Sequence, residues 1–79
     1  MIMKNKYKVC VIGLGYVGLT LSLHLAKKNI FVRGFDSNKK LVQELASGKT
    51  HIFEKNLEKL LKKSLKNKMF QVSGKIQND

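Results

Sequence analysis

The chain has no proline and only one cysteine, Cys10. A lone cysteine excludes an internal disulfide and fits a reducing compartment. Cys10 lies inside an apolar run, where an inert, buried residue is expected. Only two histidines occur, His24 and His51, and both are far from Cys10 in sequence, so no metal-ligand spacing exists. His24 is expected on a helix surface, without a catalytic partner near it. No run of about 18 apolar residues is present, so no membrane-spanning helix is expected. Lys4, Lys6 and Lys8 precede an apolar stretch that glycines break at once, unlike a signal peptide. The expected location is cytoplasmic.

Acidic residues are scarce: five stand against 16 basic ones, a net charge of +11. Such a balance raises nucleic acid or an anionic membrane as partners. However, Arg33 is the one arginine, and arginine is the usual reader of bases and phosphates. The lysines are spread along the whole chain. They read as a solvated surface, with neither nucleic acid nor membrane as partner. With 79 residues there is room for one small domain, marginal without help.

What the chain does have is Gly13-Leu14-Gly15-Tyr16-Val17-Gly18. The apolar run Val9-Cys10-Val11-Ile12 precedes it and an apolar-periodic run from Val17 to Ala26 follows. That is strand, glycine turn, helix. Bare G-x-G-x-x-G is a weak signal, but this context is the one that gives it meaning. Gly13 is expected to make the tight turn, Gly15 to let a pyrophosphate approach the backbone, and Gly18 to let the helix pack on the sheet. The helix N-terminus then faces the phosphates. A glycine-rich turn that binds nothing is the alternative.

A second apolar run, Ile30 to Phe35, ends at Asp36, about 20 residues past the glycines as the dinucleotide fingerprint requires. There a carboxylate can accept hydrogen bonds from both hydroxyls of an adenosine ribose. It would also repel a 2′-phosphate, which favours NAD over NADP. The alternative for Asp36 is a residue that merely opens a helix.

These residues resemble the amino-terminal part of the nucleotide-sugar 6-dehydrogenases, the UDP-glucose and UDP-N-acetylmannosamine enzymes. Tyr16-Val17 within the glycine motif and Gly34-Phe35-Asp36 carry the likeness, with Gly48 to Glu54 and then Leu57. The likeness covers about residues 7–73. His51-Ile52 before Glu54 is more like the N-acetylmannosamine branch. Lys55 stands where the family usually has proline, and Leu41 where many UDP-glucose enzymes have a basic residue. The resemblance implies NAD as cofactor, a UDP-sugar as substrate of the full protein, and a homo-oligomer. It implies a reaction in which the sugar C6 alcohol becomes a uronic acid through a catalytic cysteine. Cys10 is not that cysteine, and this chain has no counterpart of the family's catalytic cysteine, lysine and asparagine.

The elements follow from the patterns. Strands are expected over 7–12, 30–35 and 69–73, and helices over 16–28, from Ser37 or Asn38 to Ala46, and over 54–66. The nearly continuous apolar run of the first strand suits burial on both faces. Val17, Leu21 and Leu25 are expected to form the buried stripe of the first helix. Leu41, Val42 and Leu45 should do so in the second, and Leu57, Leu60, Leu61 and Leu65 in the third. Asn29 and Gly48 suit left-handed helix ends. Residues 1–6 read as a basic lead and 74–79 as a tail. The fold class is α/β, a Rossmann-type half domain with parallel strands in the order third, second, first.

The expectation is therefore a partial NAD-binding domain over residues 1–79, the N-terminal piece of a longer enzyme. Gly13, Gly15, Tyr16, Val17 and Gly18 would hold the pyrophosphate and Asp36 the ribose. No catalytic residue and no metal ligand is expected. The alternative is a non-catalytic, regulatory nucleotide-binding module.

Overall fold

A computed structural model describes residues 8–54 and 56–75. The expected lead over 1–6, Tyr7, Lys55 and the last four residues of the expected tail lie outside the described residues.

The elements run β1 (Lys8–Ile12), α1 (Tyr16–Lys27), β2 (Phe31–Phe35), α2 (Lys39–Ala46), α3 (Leu57–Lys66) and β3 (Phe70–Ser73). All strands are parallel, with β2 between β1 and β3. This is the expected α/β order. Val9 pairs with Val32, and Val32 with Phe70. Among the described residues, β1 pairs with β2 alone and leaves its other edge open.

Side chains alternate across a strand, so Val9, Val11, Val32, Gly34, Phe70 and Val72 share one face. On it lies the core, in which Leu19, Leu23 and Ala26 of α1, Leu45 of α2 and Leu57 and Leu61 of α3 surround Val32 and Phe70. All three helices cover this one face. The opposite face carries Lys8, Cys10, Ile12, Phe31, Arg33 and Phe35, none of which joins the core. Here two expectations are corrected. β1 is not buried on both faces, and Cys10 is exposed rather than buried. Ile12, beside it, is 65% exposed. The Arg33 guanidinium sits 5.7 Å from the Phe31 ring on the same face, a cation–π contact.

α1 buries Leu19, Ser22, Leu23 and Ala26, not the expected stripe. Val17 is 74% exposed and Leu21 49%, while Leu25 packs only partly against the core. The reason is composition: Leu19 and Leu23 make one apolar face of the helix and Leu21 and Leu25 an opposite one, so periodicity alone cannot choose. α2 and α3 have clearer faces. Leu45, Leu57 and Leu61 are buried, and Leu41, Leu60 and Leu65 pack against them.

The helix ends follow local chemistry. Asn38 caps α2, its side chain accepting from the Leu41 N–H at 3.1 Å. α3 begins at Leu57 rather than Glu54, because Asn56 takes a left-handed conformation (φ 70°) that interrupts the helical path. Each helix closes with a backbone bond spanning five positions: Ile30 to Leu25, Lys49 to Glu44 and Met69 to Ser64. Left-handed residues at Asn29, Gly48 and Lys68 permit these closures.

Candidate functional site

Gly13 leaves β1 with φ 93°, a conformation costly for any residue with a Cβ. Its N–H donates to the Phe35 carbonyl at 2.8 Å, so the turn is tied to the end of β2. Leu14 then drops its side chain, fully buried, into the core. The place is kept open by Gly34, where a Cβ would come within 2.9 Å of both the Leu14 and Phe70 side chains. Gly18, one turn into α1, lies directly on the Gly13 carbonyl. A Cβ there would be 1.8 Å from that oxygen. Gly15 is different: a Cβ on it would meet nothing within 4 Å. The space over Gly15 is open.

Gly15 is also the N-cap of α1, and no side chain caps this end. No acidic residue stands in the first turn. The N–H groups and the positive dipole end of α1 thus face that open space, a setting that favours an anion. Tyr16 and Val17 open the helix with exposed side chains. The Tyr16 hydroxyl donates to Glu54 Oε2 at 3.3 Å, which brings the approach to α3 beside the glycine turn.

Asp36 stands where β2 ends. Its Oδ2 accepts from the Leu14 N–H and its Oδ1 from the Asn38 N–H, each at 2.9 Å. Its own N–H donates to the Ser73 carbonyl at the end of β3. The Leu14 and Asn38 bonds, helped by nearby His51 and opposed by partial burial, hold the carboxyl below its ordinary range. Asp36 is therefore ionised at neutral pH. Each carboxylate oxygen keeps a further lone pair, so Asp36 can accept from a diol while anchored.

The structure thus brings Gly13, Gly15, Tyr16, Val17, Gly18 and Asp36 together at the C-terminal ends of β1 and β2. This is the crevice where ligands of open α/β sheets sit. Residues 7–79 match the model of the UDP-glucose/GDP-mannose dehydrogenase family, NAD binding domain. The chain belongs to this family. A UDP-N-acetyl-D-mannosamine dehydrogenase of Methanococcus vannielii is 40% identical over 70 residues, 89% of this chain and 16% of the relative. A protein of the same name from Campylobacter jejuni is 46% identical over 54 residues, 68% of this chain and 13% of the relative. Among solved structures, a UDP-glucose dehydrogenase from Pyrobaculum islandicum superposes with a TM-score of 0.85 at 31% identity. That match covers 90% of this chain and 16% of the other. The chain thus spans about a sixth of the length of these proteins. Its cofactor is the family's, NAD.

The NAD-binding domain has two features that sequence reasoning missed. The Leu14 N–H, not only the glycines, fixes Asp36 to the turn. Gly34, quoted in the sequence only as part of a motif, is the notch that seats Leu14. Neither carries a signal in one sequence, because both depend on packing between β1 and β2. Among the described residues, no group of His, Cys, Asp and Glu could hold a metal ion. No helix of the described residues is long and apolar enough to cross a membrane. Every described lysine is exposed, as a solvated surface requires.

Proposed function

We propose that this chain is the cofactor-binding N-terminal part of an NAD-dependent UDP-sugar 6-dehydrogenase. We assign it to the UDP-N-acetylmannosamine branch, which both sequence relatives above are named for. Gly13, Gly15 and Gly18 shape the turn, and the N–H groups of Tyr16 and Val17 take the pyrophosphate. Asp36 accepts from the adenosine ribose and repels a 2′-phosphate. One observation carries this assignment: the ionised Asp36 carboxylate is hydrogen-bonded to the glycine turn, beside an uncapped helix end and an unfilled space over Gly15.

These residues suit NAD by charge and by shape. Bound NAD supplies a nicotinamide ring that accepts hydride. The residues here bind and orient the adenosine half and perform no chemistry, so the isolated chain produces no NADH from a UDP-sugar. The whole protein takes a UDP-sugar and acts as a homo-oligomer. In the isolated chain, the open β1 edge pairs with that of a second copy.

Calorimetry with NAD and NADP tests the binding assignment. NAD binds more tightly, and Asp36→Ala weakens NAD and narrows the gap. Equal or tighter NADP binding by the unaltered chain overturns it, and Arg33, Lys39 and Lys40 are the cations that could produce that result.

A further inference from the structure

The stripe that periodicity picks out on α1 is not the one the fold buries, and the nucleotide assignment uses none of the side chains left outside. Val17 is 74% exposed, Tyr16 56% and Leu21 49%. Among the described residues five large apolar side chains are exposed, and these three stand together on α1. They line a groove of about 600 Å³ between α1 and α3, with Leu57 and Leu60 on its other wall. Contiguous apolar surface of this kind marks an interaction site.

The two ends of the groove differ in charge. Both helices run back from the C-terminal ends of the strands, so they are parallel and their first turns lie at one end. At that end stands Glu54, the one carboxylate of the lining, which accepts from the Tyr16 hydroxyl. The segment that carries it is pinned to α3 by the Thr50 N–H, which donates to Glu58 Oε2 at 3.2 Å. At the other end stands Lys27, the one ammonium of the lining, a turn beyond His24. A helix that fills the groove needs the reverse order, a cation near Glu54 and an acid near Lys27.

α1 with Glu54 at its head has that order when turned end for end. Its outward positions then nearly repeat. Val17 comes opposite the partner's Lys27, Thr20 opposite the partner's His24, and Leu21 beside the partner's Leu21. The stem of Lys27 lies over Val17 while its ammonium reaches Glu54. A patch complementary to itself is what a two-fold contact requires.

We propose that this groove docks a second copy of the chain, α1 of each lying antiparallel in the groove of the other, with Leu21 at the centre and a Lys27–Glu54 pair at either end. The contact buries the second apolar face of α1 as the core buries the first. It is separate from the β1 edge and independent of the nucleotide assignment. Its extent is small, about 1,200 Å² in total or less, so the dimer is a weak one.

Sedimentation over a concentration series, in salt that screens the net charge, tests it. The unaltered chain dimerises. Leu21→Lys, with folding checked by its thermal midpoint, weakens the dimer by roughly tenfold or more. Lys27→Glu and Glu54→Lys each make both end pairs repulsive and weaken it by roughly tenfold. A mixture of those two variants dimerises as the unaltered chain does, because each supplies the charge the other lacks. Net charge alone would move the two variants in opposite directions, since it falls in one and rises in the other. No recovery in the mixture, or unchanged association in Leu21→Lys, overturns the groove contact. If Cys10→Lys still lowers association in that case, the β1 edge stands and the groove contact alone falls. A chain that is monomeric at every concentration overturns both and leaves the stripe on α1 to a helix of another polypeptide.

Discussion

The Leu14 N–H donates to Asp36 Oδ2 at 2.9 Å, joining the turn after β1 to the end of β2 across 22 positions of sequence. The bond is charge-assisted, and a second one, from the Asn38 N–H, shares the carboxylate. Asp36→Asn keeps the shape and removes the charge. It should cost roughly 1–2 kcal/mol of folding stability at neutral pH, measured by urea denaturation. No change in midpoint would show that the two bonds contribute nothing to the fold.

The same carboxylate makes stability depend on pH. Its folded-state pKa lies below the ordinary 3.8, chiefly through the Leu14 and Asn38 bonds. The contribution is therefore complete above 3.8 and is lost as pH falls through the lower, folded-state value. Unaltered protein should lose more stability on acidification through that window than Asp36→Asn does. Parallel pH curves for the two proteins would contradict this.

Gly18 and Gly15 should separate folding from binding. Gly18→Ala places a methyl on the Gly13 carbonyl, 1.8 Å away before any shift. The turn and α1 must part, at a cost of about 3 kcal/mol or more. The Cβ of Gly15→Val meets no protein atom within 4 Å, and the substitution should leave the thermal midpoint within a few degrees. It should still abolish nucleotide binding by filling the space over the turn. A Gly15→Val protein that unfolds, or that binds NAD normally, would contradict the division.

The contact between Tyr16 and Glu54 is long, at 3.3 Å, and exposed. Tyr16→Phe should therefore change folding stability by less than about 1 kcal/mol. Hydrogen exchange at residues 50–54 should quicken, since the tie to α1 is gone. Unchanged exchange there would mean that Thr50 and Glu58 hold the segment unaided.

The edge of β1 that no strand covers among the described residues predicts concentration-dependent association of the isolated chain. Sedimentation should show dimers that grow with concentration and are favoured by salt, which screens the lysines. Cys10→Lys adds charge at an exposed strand position without touching the core and should shift the equilibrium towards monomer. A strictly monomeric unaltered chain at high concentration would rule this association out.

Element order and sheet topology were legible because apolar runs of strand length alternate with longer periodic ones, and a parallel sheet follows from that alternation. The glycine turn and Asp36 were legible because their spacing reflects a fixed geometry between two strands. The stripe of α1 was not, since Leu19, Leu21, Leu23 and Leu25 satisfy two faces equally. Cys10 misled because an apolar strand signals burial only when both faces have something to cover them, and all three helices lie on the other side. The late start of α3 hung on the backbone of Asn56, and the end of α3 on a left-handed Lys68, a residue with no special preference for that conformation. Local conformations of that kind are decided by the surrounding closures rather than by residue type.

The notch at Gly34 bears on how much a ligand must organise for itself. With Leu14 seated against Phe70 and its amide held by Asp36, the turn is fastened both below, by packing, and in front, by charge. Its donors already point outward before anything arrives. Ordering a loop during association subtracts from affinity, and a loop that is already ordered is spared that loss. A larger residue in place of Gly34 would unseat Leu14 and set the turn moving. The defect would then surface as slower capture and faster escape of nucleotide, although position 34 itself lies beneath the turn, inside the sheet.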